Sequence, residues 1–232
     1  MADSPQLQAE GVVRVTVSCD GTALDDIVQL ISLNVHRAVN MVSSARLVFA
    51  DGDMPNQAFP LSDAATLVPG AALTISAGYD DSEETIFEGI VVRHGVHITG
   101  QNDARLVVEC RDKSVKMTIG RRNANHVDQK DSDILATLAG NHGLSTDIEA
   151  TTIQHKELVQ HYCSDWDFAL SRAEANGLLV MAVDGKFTAK PPDTAAEPVL
   201  SVAYGVDLIE FHADIDARTQ YSAAKAFSWD PK

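Results

Sequence analysis

The densest run of reactive side chains lies between Gln160 and Met181, "QHYCSDWDFALSRAEANGLLVM", where His161, Cys163, Asp165 and Asp167 fall within seven residues. Imidazole, thiolate and carboxylate are the ligands of zinc sites, and paired carboxylates perform acid–base chemistry. The spacing argues against both. Two positions apart on a helix, Asp165 and Asp167 point about 200° from each other, so they cannot share a proton or a substrate. On a strand, His161 and Cys163 would share a face, but two ligands do not make a site and no second pair with suitable spacing is evident.

The remaining candidates are weaker. His94 and His97 form an H-x-x-H in a predicted strand, where an odd offset puts the rings on opposite faces unless Gly95 forms a bulge. They are read as surface or interface histidines. No serine, Ser43, Ser44 and Ser201 included, lies in a G-x-S-x-G elbow, and no G-x-x-x-x-G-K-[ST] loop is present. "GRRN" (Gly120–Asn123) is too short for a phosphate site; Arg121 and Arg122 are expected on a surface, paired with acidic neighbours. No catalytic, cofactor-binding or metal residue is therefore assigned, and no enzyme activity is expected.

The elements that carry these residues explain their types. Ser164 followed by Asp167 has the capping-box form S-x-x-D, and both aspartates fall in a first helical turn, where the helix dipole favours negative charge. Trp166, Ala169, Leu170 and Ala173 recur at helical spacing, and Gly177 ends the helix. "LLVMAVDGKFTAKP" then reads as a hairpin turning at Asp184-Gly185. Upstream, "DSDILATLAGNHGLS" predicts a short helix with Ser132 as N-cap, Asp133 in the first turn, an apolar stripe of Ile134, Leu135, Leu138 and Ala139, and Gly143 as the stop. The extended segment "TTIQHKELVQHYC" joins the two.

From Gly11 to about Gly120 the pattern is β. Six strand-length runs, from "VVRVTVSC" to "ARLVVECRD", are separated by turn signals such as "CDGT", "ADGDMPN", "VPGA", "YDDSEE" and "ITGQND". Alternation places Val13, Val15, Val17 and Cys19 on one face, and Leu106, Val108 and Cys110 together, so both cysteines read as small core side chains. One buried and one wet face is the signature of antiparallel sheets, and six such strands suggest a barrel or sandwich. After the proline-rich "KPPDTAAEP", strand-like segments resume in "VLSVAYG", "LIEFHADIDA" and "AAKAFSWDPK".

Composition sets the bounds. The 232 residues, 45% hydrophobic and 22% charged, suit a soluble globular protein. No run approaches the roughly 18 apolar residues of a membrane span. "MADSPQLQAEG" lacks the features of a secretory signal, so synthesis in the cytoplasm is expected, with any export by another route. A formal charge of −15 disfavours nucleic-acid recognition.

The ordered set resembles the VgrG-like baseplate hub family of contractile injection systems: phage tail hubs, type VI secretion spikes and extracellular phage-tail-like particles. "VNMVSSARLVFADGD" (Val39–Asp53), "LVPGAALTISAGYDDSEETIFEGIVV" (Leu67–Val92) with its Pro-Gly turn and Phe-x-Gly, "LVVECRDKSVKMTIGRRN" (Leu106–Asn123), "DSDILATLAGNHGL" and "LVQHYCSDWDFALSRAEANGLLV" carry the likeness. The resemblance implies an α+β, mainly β fold: a tail-tube-like antiparallel β-barrel (11–123), a small α+β insertion (124–192) and the beginning of a second barrel (193–232). It implies a structural role that adapts a six-fold tail tube to a three-fold spike. The partners it implies are two further copies in a homotrimer once the second barrel is complete, the tail tube protein, the spike or needle, and baseplate components. The chain is expected to be a shortened hub or one product of a split gene, working in a phage tail, secretion apparatus or released particle.

Two readings from other classes stand beside this one. A carbohydrate-binding β-domain of a tail tip would use aromatic platforms, yet aromatics make up 6% and the two tryptophans lie in a helix pattern and at the chain end. A cell-wall hydrolase would need the acid pair or nucleophile that the spacing does not supply.

Overall fold

In the computed structural model, the described residues are 11–25, 27–79, 82–100, 103–208, 210–218, 220–227 and 229. The turn sequences around 80–81 and 101–102 fall outside them, as does the segment 1–10.

The alternating runs of the first half form seven strands: β1 (Val13–Cys19), β2 (Thr22–Ala23), β3 (Leu30–His36), β4 (Ser44–Asp51), β5 (Ala72–Tyr79), β6 (Ser82–Thr99) and β7 (Asp103–Arg111). They build one antiparallel sheet in the order β2-β1-β5-β6-β7-β4-β3. Its inward rows, including Val17, Leu47, Phe49, Ile75, Phe87 and Leu106, make the first core. Both expected core cysteines, Cys19 and Cys110, are buried there. Val13 and Val15, predicted on the same buried row as Val17, are exposed toward the strand's start. The Phe-x-Gly of β6 has a steric reason. A Cβ at Gly89 would stand 2.3 Å from the Arg111 carbonyl oxygen and 2.7 Å from the Phe87 ring.

Where the sequence predicts a barrel, the sheet is open. No ladder joins β3 to β1 or β2 among the described residues. β2 has only two residues, and Leu24, Val28 and Leu30 cover the seam by packing on the core without completing its hydrogen bonds. A cavity of about 350 Å³, lined among others by Val17, Leu24, Leu30 and Phe49, marks the gap.

A 3₁₀ turn (Lys113–Thr118) leads into the α+β part: β8 (Arg122–Lys130), α1 (Asp131–Gly140), β9 (Ser145–Ile148), β10 (Gln154–Cys163), α2 (Asp165–Ala175), β11 (Leu179–Val183) and β12 (Lys186–Lys190). β8 pairs with β10, and β11, β12 and β9 form a second small sheet in which β9 runs parallel to β12. The second core gathers Met117, Ile134, Leu135, Trp166, Ala169 and Phe187, with Trp166 edge-on to Phe187 at 6.1 Å. Met117 draws the start of this part upstream of residue 123.

α2 matches its sequence signals. Ser164 caps it, its Oγ accepting from the Asp167 N–H at 3.1 Å, and Gly177 follows with φ +67°. The hairpin turns at Asp184 (φ +53°) and Gly185 (φ +74°), as a type I′ turn requires. α1 departs from its prediction. Its N-cap is Lys130, without a side-chain cap bond, and Ser132 lies inside the helix. The physical reason is Asp131, which is drawn into the interior by partners described below and starts the helix early. The Ser132 N–H is satisfied instead by Thr151 Oγ1 at 3.0 Å.

Both cores lie in one compact unit, Gly11–Ala195. The hairpin docks onto the first sheet and its connecting loops by backbone and side-chain contacts. Asn40 N–H donates to Val180 O (2.7 Å), Val180 N–H donates to Asn40 Oδ1 (2.9 Å), and Val42 bridges Ala182 in parallel. The Asp184 carboxylate accepts from the Glu88 N–H (2.9 Å) and pairs with Arg37 (3.1 Å), while Gly185 N–H donates to Asp112 (2.8 Å).

The segment 196–232 belongs to the other unit. Among its described residues there is no strand, only one isolated bridge between Tyr204 and Leu208. The strands expected for the start of a second barrel are thus not formed. A strand needs a neighbour to take its backbone hydrogen bonds, and here Tyr204, Phe211, Ile215 and Phe227 stay exposed. No helix among the described residues is long and apolar enough to cross a membrane.

Candidate functional site

Asp165 and Asp131 are the most deeply buried acids of the α+β part, at 5% and 2% exposure. Each is the first residue of its helix, where unpaired backbone N–H groups favour a negative charge. Each is surrounded by the same kinds of donor.

Asp165 is held by Arg122 at the start of β8, whose Nε donates to Oδ1 (2.6 Å) and whose Nη2 donates to Oδ2. His142, just beyond α1, donates Nε2–H to Oδ2 (2.7 Å), and Gln160 of β10 donates Nε2–H to Oδ1 (2.9 Å). Burial alone would raise this carboxyl's pKa, but the bonds from Gln160, His142 and Arg122 hold it below the usual range.

Asp131 repeats the scheme, again with a residue of β10 among its partners. Arg172 of α2 donates Nε–H to Oδ1 (2.6 Å) and Nη2–H to Oδ2 (3.0 Å). His155 of β10 and Asn176 beyond α2 each reach Oδ2 at 2.9 Å. Burial again opposes ionisation, and the bonds from Arg172, Asn176 and His155 overcome it, holding the carboxyl well below the usual range. With four donors each, these acids are occupied in joining β8, β10, α1 and α2. A carboxylate so saturated is poorly placed to act as a base.

The other predicted residues separate as follows. Asp167 is exposed and accepts from the Ser164 hydroxyl (2.7 Å), so the two aspartates of the motif do diverge, one inward and one to the cap. His161 is exposed and Cys163 packs against the second core. Among the described residues, no three His, Cys, Asp or Glu side chains converge as metal ligands would. His94 shares a hydrogen bond with the Leu67 carbonyl (2.9 Å) and His97 is exposed; the bulge near them falls between Val91 and Arg93, not at Gly95. Burial pushes the Cys110 thiol up to about 12, with Cys19 adding to the effect; burial also raises Cys19, which lies 2.6 Å from the Thr66 carbonyl oxygen.

A surface feature adjoins the Asp165 cluster. The β10 strand bulges between Gln160 and Cys163, and Tyr162 sits in the left-handed region (φ +43°), with its N–H donating to Asn123 Oδ1 (2.8 Å). Such a backbone is costly for an aromatic residue and persists where neighbours hold it. Its exposed ring supports the Arg121 guanidinium, 5.8 Å from the centroid. A cavity of about 220 Å³ lies beside it, between Ile119, Arg122, His142 and Asp165. Arg122 thus pairs with an acid as the sequence suggests, whereas Arg121 stacks on a ring. Nothing in the local sequence signals the left-handed Tyr162.

Solved tail proteins share this fold. The structure matches the 43 kDa tail protein of prophage MuSo2 from Shewanella oneidensis (TM-score 0.62, 12% identity, 77% of this chain and 53% of that one). It matches the tail protein from Neisseria meningitidis MC58 (0.60, 14%, 82% and 53%). It also matches the E. coli c3393 protein, a type VI secretion component similar to bacteriophage T4 tail proteins (0.56, 13%, 74% and 48%). The chain spans about half the length of each. At these identities the likeness is one of fold. No curated protein sequence matches the chain. The family model of the Alg8 N-terminal domain matches residues 9–232, and the chain belongs to that family.

Proposed function

We propose that this chain is a structural, non-enzymatic component of a baseplate hub in a contractile injection machine, adapting a six-fold tail tube to a three-fold spike. The observation that carries this reading is the open sheet of a tail-protein fold. Among the described residues, β3 pairs only with β4, and β6 beyond Val91 pairs only with β7. Backbone donors and acceptors along these edges face outward, beside exposed Ile31, Val96 and Ile98. Edges of this kind are templates for another chain's strand, and a closed barrel would have none. Copies joined through such edges form a continuous collar, with the tail tube protein, the spike and other baseplate components as its partners.

Native mass spectrometry of the protein tests the proposal. Three copies are expected, and Ile31→Lys with Val96→Lys, which place charge on the edges, should shift the population to single copies. A wild-type protein that stays monomeric at tens of micromolar would contradict it.

A further inference from the structure

One stretch outside the two cores is sorted like a strand although it belongs to none. Between Glu210 and Arg218 the sequence alternates strictly, with Phe211, Ala213, Ile215 and Ala217 against Glu210, His212, Asp214, Asp216 and Arg218. The polar row already lies to one side, because residues two apart pair with each other. His212 Nε2 shares a hydrogen bond with Asp214 Oδ2 (3.0 Å), and Arg218 Nε–H donates to Asp216 Oδ2 (2.8 Å). Pairs at this spacing are what an extended backbone gives. The apolar row is bare, with Phe211 75% and Ile215 96% exposed. Among the described residues, 210–216 make no backbone–backbone hydrogen bond.

The first sheet lacks what this stretch can supply. β3 has β4 on one side and, among the described residues, no strand on the other. Its inward residues Leu30, Leu33 and Val35 pack on the first core yet stay half-buried. Beside them lies the seam cavity of about 350 Å³, lined by Leu30 and Phe49 from β3 and β4 and by Val15 and Val17 from β1. A strand added to β3 turns alternate side chains the same way as Leu33 and Val35, toward the core and its cavity. Its other side chains join the outward row of Ser32, Asn34 and His36, which holds no carboxylate and has exposed Arg46 of β4 opposite Asn34. Acidic residues fit there without a like charge across from them.

We infer that residues 210–216 of a second copy add as a strand to β3, with Phe211, Ala213 and Ile215 turned into the seam. Main-chain hydrogen bonds supply the affinity and the alternate side chains the fit, as in other strand additions. Within one chain both parts stand unsatisfied, the stretch without a neighbouring strand and β3 with only one. A second copy offers each the part it lacks. The inference rests on the assembly reading above and names the segment that one of those edges takes.

Cysteine pairs test it in the full chain. Chains with Asn34→Cys are mixed with chains carrying His212→Cys, Asp214→Cys or Asp216→Cys and oxidised. At least one mixture should give a dimer whose linked peptides, read by mass spectrometry, join position 34 to the stretch. Phe211→Ser with Ile215→Ser should weaken self-association at least tenfold by sedimentation, at an unchanged melting temperature because both side chains are exposed in the single chain. Absence of that linkage from every mixture would overturn the inference, as would a chain with both Asn34→Cys and Asp214→Cys that links only within itself. Self-association that survives the serine pair but is lost on Ile31→Lys with Val96→Lys would rule out this contact and leave assembly through edges standing. A wild type with no self-association at any concentration would remove both.

Discussion

Arg172 reaches Asp131, 41 residues earlier in the chain, with two hydrogen bonds of 2.6 and 3.0 Å that join the two helices of the α+β part at a carboxylate only 2% exposed. Removing one member of such a buried pair leaves the other charge without compensation. Asp131→Ala is therefore expected to cost about 3 kcal/mol, read as a lower urea midpoint at an unchanged slope. A cost below about 0.5 kcal/mol, typical of surface changes, would show that the cluster does not hold the helices together.

Acid should weaken the same region. Asp131 and Asp165 both have folded-state pKa values below their ordinary one. Their contribution is thus present above the unfolded value of about 4 and is lost as pH falls from there through the lowered folded values. The melting temperature should hold between pH 7 and 5 and decline below pH 4. Asp131→Asn with Asp165→Asn should melt lower at pH 7 and show a shallower acid decline. An equally steep decline in that variant would place the acid sensitivity elsewhere.

Thiol labelling should follow burial. Cys19 and Cys110 lie in the first core with raised pKa values, whereas Cys163 is partly exposed. Alkylation of native protein at pH 8, followed by mass spectrometry, should modify at most Cys163, with all three reacting in denaturant. Rapid native labelling of Cys110 would mean that the first core opens readily.

Gly89→Ala should damage the first sheet, because the added methyl would meet the Arg111 carbonyl oxygen at 2.3 Å. A cost of about 2–3 kcal/mol is expected from such overpacking, measurable by denaturant unfolding. Tolerance of the change would show that β6 and β7 can move apart there.

These predictions also mark what a sequence can disclose. Helix α2 was legible because its signals are local: Ser164 before the first turn, Trp166, Ala169 and Ala173 at helical spacing, and Gly177 after the last. The same holds for the Asp184-Gly185 turn. β8 was not legible, since its inward positions include His126, stacked on Phe168 at 5.5 Å, in place of an apolar residue, which erases the alternation. Asp131 looked like the residue before a Ser132 cap, and nothing local links it to His155, Arg172 or Asn176. The open seam depends on hydrogen bonds between β3 and β1 or β2, strands paired or unpaired by the whole sheet's curvature. The Asp165 cluster was half visible: Arg122 was expected to pair with an acid, but His142 and Gln160 are brought in only by the fold.

The central claim is that this sheet works through its unpaired edges. Amide hydrogen exchange, followed on the isolated chain and on the assembled particle, tests it most directly. Residues Leu30–His36 and Arg93–Thr99 should exchange markedly more slowly after assembly, since a neighbouring strand would then take their free hydrogen bonds. An assembled particle in which both segments exchange as fast as in the isolated chain would contradict the account.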